Sequence, residues 1–236
     1  MTEEIFRDNA YAKTCEATVT QVNEFGIQLD RTVFYAAGGG QPGDTGVLRS
    51  ANGAEVVIAD TIHEMGTGVH LHVPAEGAPT LTVGEAVTAE IDWDRRYAHM
   101  RMHSGLHLLC AVIEGGVTGG SIGAEKSRLD FDLPDTGLDK EQITADLNRL
   151  VDGDHAMSMR WITDDELAAN PDMVRTMSVK PPMGSGRVRL IDITDVDLQP
   201  CGGTHVGRTG EIGKLRVGKI ENKGRHNRRI NIHIDE

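Results

Sequence analysis

Residues Ala86–Gly116 read AVTAEIDWDRRYAHMRMHSGLHLLCAVIEGG, and the pattern changes once within them. Up to Ile91, apolar and polar residues alternate, which is the period of a half-buried strand. From Trp93 to Glu114, apolar residues recur at spacings of three and four, the period of a helix. Asp92 or Asp94 is placed to cap the start of that helix, and Gly115-Gly116 to end it. The switch divides the chain. Upstream, Glu16–Gln21, Gly26–Leu29, Val56–Ile62, Gly68–Val73 and Ala86–Ile91 are short Val-, Ile- and Thr-rich segments separated by turns. Such spacing predicts a small β-barrel or sandwich. The first two segments form a hairpin around Asn23-Glu24-Phe25, and a glycine-dense loop over Ala36–Gly46 interrupts the set. Downstream, strands are expected at Ser127–Leu133, Val188–Ile193, Gly213–Ile220 and Arg229–Ile234. Helices are expected at Leu138–Asp152 and Asp164–Asn170, and a loop at Asp197–Gly207. The expected fold class is α+β: a β-barrel domain over residues 1–91, then an α+β domain of antiparallel sheet with helices over residues 92–236.

The chain has 236 residues, enough for two small cores. Its formal net charge is −12, which argues against a general nucleic-acid binder, because neutralising phosphates takes Lys and Arg. The charge is unevenly spread. From Gly207 onward there are eight Lys or Arg against four Asp or Glu. Three cysteines, an odd and low count, point to a reducing compartment. The first ten residues are polar and acidic, and no stretch is apolar enough for a membrane span. A cytoplasmic setting is expected, with no membrane partner. The residues carry no signal of oligomeric state.

Chemistry concentrates at two places. His103 and His107 are four apart on the predicted helix, so their rings project from one face, one turn apart. The residue after His103 is Ser104, where zinc proteases of the HExxH type carry glutamate, so that mechanism is not supported. His99 extends the row, and Cys110 falls in an apolar stripe with Leu106, Leu109 and Ile113. The second place is Cys201-Gly202-Gly203-Thr204-His205. Its two glycines let the backbone fold tightly enough for a thiolate and an imidazole to converge. Together the pairs make a His3Cys set, a donor combination suited to Zn2+. Residue chemistry alone admits a hydrolase of small esters or amides, or a binding module with structural zinc.

The order His103-Ser-Gly-Leu-His107-Leu-Leu, Cys201-Gly-Gly-Thr-His205 and Thr209-Gly-Glu-Ile-Gly213 resembles the editing domain of alanyl-tRNA synthetase. It resembles still more the freestanding alanyl-tRNA editing proteins of the AlaX family. The element Gly38-Gly39-Gly40-Gln41-Pro42-x-Asp44-x-Gly46 is similar to one in that family's medium-length members, which carry a barrel before the editing domain. The likeness runs from about residue 14 to residue 234, and no segment resembles a class II aminoacylation core.

The resemblance implies trans-editing, the hydrolysis of Ser-tRNA(Ala), with Gly-tRNA(Ala) as a second candidate, and no use of ATP. It implies Zn2+ on His103, His107, Cys201 and His205. It puts the threonine that senses the substrate hydroxyl at Thr118, in the loop Val117–Ser121, and makes Gly39, Gly40, Gln41 and Asp44 candidates for lining the substrate pocket. Candidate tRNA contacts are Arg96, Arg101, Lys214, Lys219, Lys223 and Arg228. A related specificity, for threonyl-tRNA, is disfavoured by the Gly-rich element. Serine editing has a physical rationale: a pocket made for alanine cannot strongly reject an isostere with one added hydroxyl, whereas a second site that hydrogen-bonds that hydroxyl can. Four protein ligands fill a tetrahedron, so turnover there needs a fifth position, a departing ligand, or a metal that only positions substrate.

Overall fold

The computed structural model describes residues 2–134, 137–174 and 186–235. The chain forms two compact units, Met1–Tyr97 and Ala98–Glu236. The first begins with β1 (Glu3–Glu4), β2 (Thr14–Asn23), β3 (Gly26–Leu29) and β4 (Arg31–Thr32). It continues with β5 (Gly46–Ser50), β6 (Glu55–His63), β7 (His70–Pro74) and β8 (Ala86–Ile91). Six of these close a barrel in the order β2-β3-β7-β6-β5-β8, while β1 pairs in parallel with β4.

The barrel follows from side-chain alternation. Val87, Ala89 and Ile91 of β8 point inward, as do Ala17 and Val19 of β2. In β6 the inward set runs Val56, Ile58 and then Thr61, because a bulge between Ile58 and Asp60 shifts the phase by one. The β2–β3 hairpin forms as expected. Asn23 Oδ1 accepts from the amides of Phe25 (2.9 Å) and Gly26 (3.0 Å), so the side chain builds the turn. Gly26 is required there: φ is 154°, and a Cβ would lie 2.7 Å from the His72 carbonyl oxygen. β5 falls at the end of the stretch read as loop and continuing past it. It carries only two apolar residues, Val47 and Leu48, too few to register as a period.

α1 (Trp93–Val112) runs through the division between the units. Asp92 Oδ1 accepts from the Arg95 amide at 3.2 Å, which caps its start. The second unit adds β9 (Gly116–Ser121), β10 (Lys126–Asp132), α2 (Lys140–Asp152), β11 (Met157–Thr163) and α3 (Asp164–Ala169). It ends with β12 (Arg187–Ile193), β13 (Asp197–Pro200), β14 (Leu215–Asn222) and β15 (Asn227–Ile234). One antiparallel sheet has the order β14-β15-β10-β9 and another β11-β12-β13. The α+β class is thus observed.

α2 covers the exposed edge of β14. Asn148 brackets Leu215, donating to its carbonyl (2.7 Å) and accepting from its amide (3.0 Å). Thr144 Oγ1 accepts from the Val217 amide at 3.1 Å. Two polar side chains thereby stand in for a neighbouring strand along the first residues of β14. No described helix is long and apolar enough to cross a membrane.

Candidate metal centre

α1 packs one face against the β14–β15 side of the sheet. Gly105 lies so close that a Cβ there would sit 3.3 Å from Leu215 Cδ2. That contact fixes the rotation of the helix and turns His103 and His107 to one side. β13 delivers the other half: it ends at Pro200, and the next residues are Cys201-Gly-Gly-Thr-His205.

The two halves meet. Cys201 Sγ lies 3.4 Å from His103 Nε2 and 3.5 Å from His205 Nε2, and His205 Nε2 lies 3.0 Å from His107 Nε2. One ligand atom from each of the four residues lies within 4.8 Å of the others. His99 is buried on the same helix but is not in the group.

The donor atoms fit a tetrahedral zinc ion. Bonds of about 2.0–2.1 Å to nitrogen and about 2.3 Å to sulfur put ligand atoms roughly 3.3–3.6 Å apart, close to the spacings observed. Electrostatics agree. Burial, helped by His107 and Arg189, pushes the His103 pKa well below the ordinary histidine value. Burial, helped by His103 and His107, does the same to His205. Both rings are therefore neutral, the form that binds metal. Burial pushes the Cys201 thiol up. A divalent cation reverses that preference, since a coordinated thiol is deprotonated outright.

Two residues to which the sequence reading gave no positioning role hold the halves together. Arg189, buried on β12, donates to the carbonyls of Cys201 (3.0 Å) and Gly203 (2.8 Å). It shares a strand face with Ile191 and Ile193, and a cation in an apolar row is a detectable signal. Ser104, between the two helix histidines, accepts from the Val206 amide at 3.1 Å. Its position carries no sequence signal.

Other candidates require correction. Arg96 is fully buried and does not offer its charge to a phosphate: its Nε sits 2.9 Å from Asp44 Oδ2, its Nη2 donates to the Val33 carbonyl at 2.7 Å, and Nη1 donates to Ala10. Asp44 is equally committed. It holds Arg96 through both oxygens and accepts from the Tyr35 amide at 2.6 Å, so it braces the barrel rather than lining a pocket. Arg228 is buried too, folded back on the carbonyls of Gly224 and Asn227. Arg101 is half-buried and donates to the Ile212 carbonyl at 2.9 Å. Lys214, Lys219 and Lys223 are exposed.

Gly39 and Gly40, with φ of 56° and 85°, form an exposed tight turn bridged by Gly38 and Gln41, and Gln41 is buried. Thr118 lies on edge strand β9, not in a loop, and its hydroxyl donates to the Asp130 carbonyl at 3.1 Å. Three glycines in six residues had concealed the strand.

Two family descriptions match the chain. "tRNA synthetases class II (A)" covers residues 3–95, and "Threonyl and Alanyl tRNA synthetase second additional domain" covers residues 188–231, which include Cys201 and His205. The alanyl-tRNA editing protein AlaX-M of Methanosarcina mazei is 37% identical over 98% of this chain and 95% of its own length. That of Saccharolobus solfataricus is 32% identical over 98% of each. The chain belongs to the AlaX-M family of alanyl-tRNA editing proteins. The alanine–tRNA ligase of Pyrobaculum calidifontis is 38% identical over 93% of this chain but only 25% of the ligase. An AlaX-M chain thus corresponds to a segment of a synthetase. The class II match falls within the barrel unit, although no segment was expected to resemble a class II aminoacylation core.

Proposed function

We propose that this protein hydrolyses the ester joining a wrong amino acid, serine or glycine, to the 3′ end of tRNA(Ala). His103, His107, Cys201 and His205 hold Zn2+ in this reading. The observation that carries it is the convergence of the four donor atoms in a member of an alanyl-tRNA editing family. Bound zinc supplies Lewis acidity toward an ester carbonyl or a fixed positive anchor for the substrate. The protein's own part is to keep the imidazoles neutral by burial and to hold the Cys201 loop through Arg189 and Ser104. Residues 92–236 carry the chemistry. Water is the co-substrate, so ATP has no role. An odd, low count of three cysteines suits a cytoplasmic setting.

Selectivity rests on Thr118, whose hydroxyl the Asp130 carbonyl orients for contact with a serine side chain. A site built around such a contact favours serine over alanine, which has no hydroxyl to donate to Thr118 Oγ1. Thr118→Val is expected to lower the Ser/Ala rate ratio, measured on tRNA(Ala) charged with each. Equal ratios for variant and wild type would remove that role.

The decisive experiment incubates the protein with Ser-, Gly- and Ala-charged tRNA(Ala), with and without chelator, and follows amino-acid release. Rapid release of serine or glycine that the chelator abolishes is the expected result. Burial of all three imidazoles behind a full set of four protein ligands favours a second reading, in which the metal is structural. That reading predicts that chelation lowers the melting temperature and that no deacylation occurs at any zinc level. Turnover of free small esters, without tRNA, would instead support a small-molecule hydrolase.

A further inference from the structure

The barrel unit contains a second grouping of metal-ligating side chains that editing does not use. His63 ends β6 and His70 opens β7, and the two are direct cross-strand partners. Such partners present their side chains on one face with Cβ atoms about 5 Å apart. Their rings stand 5.5 Å apart between centroids and nearly perpendicular. Glu4 of β1 reaches the same point, with Oε1 3.1 Å from His70 Nδ1. One potential ligand atom from each of the three lies within 4.8 Å of the other two.

Two details mark this as more than a polar cluster. His70 is 4% exposed, and its Nε2 is buried without a hydrogen-bond partner. The 3.1 Å contact between Glu4 Oε1 and His70 Nδ1 is close to the spacing of two ligands on one ion, so Nδ1 is the nitrogen turned toward the site. His63 is also steadied in the manner of metal-bound histidines, whose second nitrogen commonly meets a carboxylate or a backbone carbonyl, here that of Gly68. His63 is nonetheless exposed enough to admit an ion from solvent.

We propose that Glu4, His63 and His70 form a second metal site, for a borderline divalent cation of the Zn2+ class. The two imidazoles supply nitrogen ligands and Glu4 the negative charge. Two nitrogens and a carboxylate suit zinc, cobalt or nickel and leave coordination positions open. Arg7 ion-pairs with Glu4 Oε2 and offsets part of its charge, so the site binds more weakly than the His3Cys centre. Occupancy ties β1 to the β6–β7 hairpin.

The proposal does not depend on the editing reading, and its test keeps the two apart. The full chain is stripped of metal and titrated with Zn2+, and bound metal is measured after desalting. Wild type is expected to take up two equivalents, His63→Ala one, Cys201→Ala one, and the double variant none. Glu4→Gln is expected to weaken the second equivalent by about 10–100-fold, and Arg7→Gln to tighten it. His63 is exposed, so its variant should fold, and an unchanged circular dichroism spectrum checks this. Equal zinc uptake by His63→Ala and wild type overturns the proposal, whatever Cys201→Ala does. Metal retained by Cys201→Ala but lost in the double variant upholds it, even if no deacylation is found.

Discussion

Arg189 and Arg96 show how little residue type alone decides. Both are buried arginines, and each guanidinium is spent inside the protein. Arg96 is paired with Asp44, and leaving either of two such buried charges alone costs about 3–5 kcal/mol; that is why neither is available to tRNA or substrate. Arg189 instead donates to the Cys201 and Gly203 carbonyls, and so sets where the thiol points. In the zinc reading it acts on the metal through the loop, as a positioning residue. Arg189→Met keeps the length of the side chain and removes the donors. Zinc affinity, measured by competition with a chelating dye, is expected to fall about 10–100-fold, while the β11–β13 sheet persists by circular dichroism. Unchanged affinity would show that the loop holds its shape without Arg189.

Strands in the second unit are joined by side chains as well as by ladders. Asp130 of β10 faces Arg229 of β15 across the register, with contacts of 2.8 and 2.9 Å to its two oxygens, and Arg128 adds a third at 2.8 Å. The Arg229 hydrogen bonds, aided by Arg128, hold the Asp130 carboxyl below its ordinary value of 3.8. A carboxyl lowered in the folded state binds its proton more readily when unfolded. Its stabilisation is therefore complete above the unfolded value and is lost as pH falls through the folded one. Asp130→Asn is expected to cost about 1–3 kcal/mol at pH 7, read from urea melts, with the deficit shrinking below pH 4. A deficit that stays constant down to pH 3 would assign the loss to packing. The elements themselves were unevenly legible. Helices α1, α2 and α3 and the long strands β2, β6, β8, β10 and β15 announced themselves by period and caps. β9 was hidden by its glycines and β5 by its brevity, while β11, Met157–Thr163, went unread although Met157, Met159 and Trp161 alternate with Ser158 and Arg160. The four proposed ligands were legible because helix spacing and a glycine-flanked Cys–His pair constrain geometry locally. Arg189, Ser104 and the commitment of Arg96 to Asp44 depend on contacts between distant segments, which no local pattern encodes.

Charge is a property of the whole molecule, yet its effect on tRNA is local. A net charge of −12 repels a polyanion at long range, but at physiological ionic strength the screening length is about 8 Å. Beyond that distance acids elsewhere on the surface contribute little to a bound complex. What counts is the charge that meets the phosphates, and the exposed lysines Lys214, Lys219 and Lys223, at and beside β14, are the remaining candidates. Two of them already have company: Lys223 Nζ is 2.6 Å and Lys219 Nζ 3.8 Å from the Glu221 carboxylate. Exposed pairs of this kind are worth roughly 0–1 kcal/mol, so phosphate can displace the carboxylate at little cost. Replacing all three lysines by glutamine should then weaken tRNA(Ala) binding equally whether the tRNA carries serine, glycine or alanine, because phosphate contacts do not read the amino acid. The slope of log affinity against log salt should flatten by about 0.7–0.9 for each lysine in contact. A salt titration of wild type and variant, by filter binding, separates the cases. An unchanged slope would mean that tRNA meets another face, and a loss confined to one amino acid would mean that the lysines act at the editing pocket rather than on the acceptor backbone.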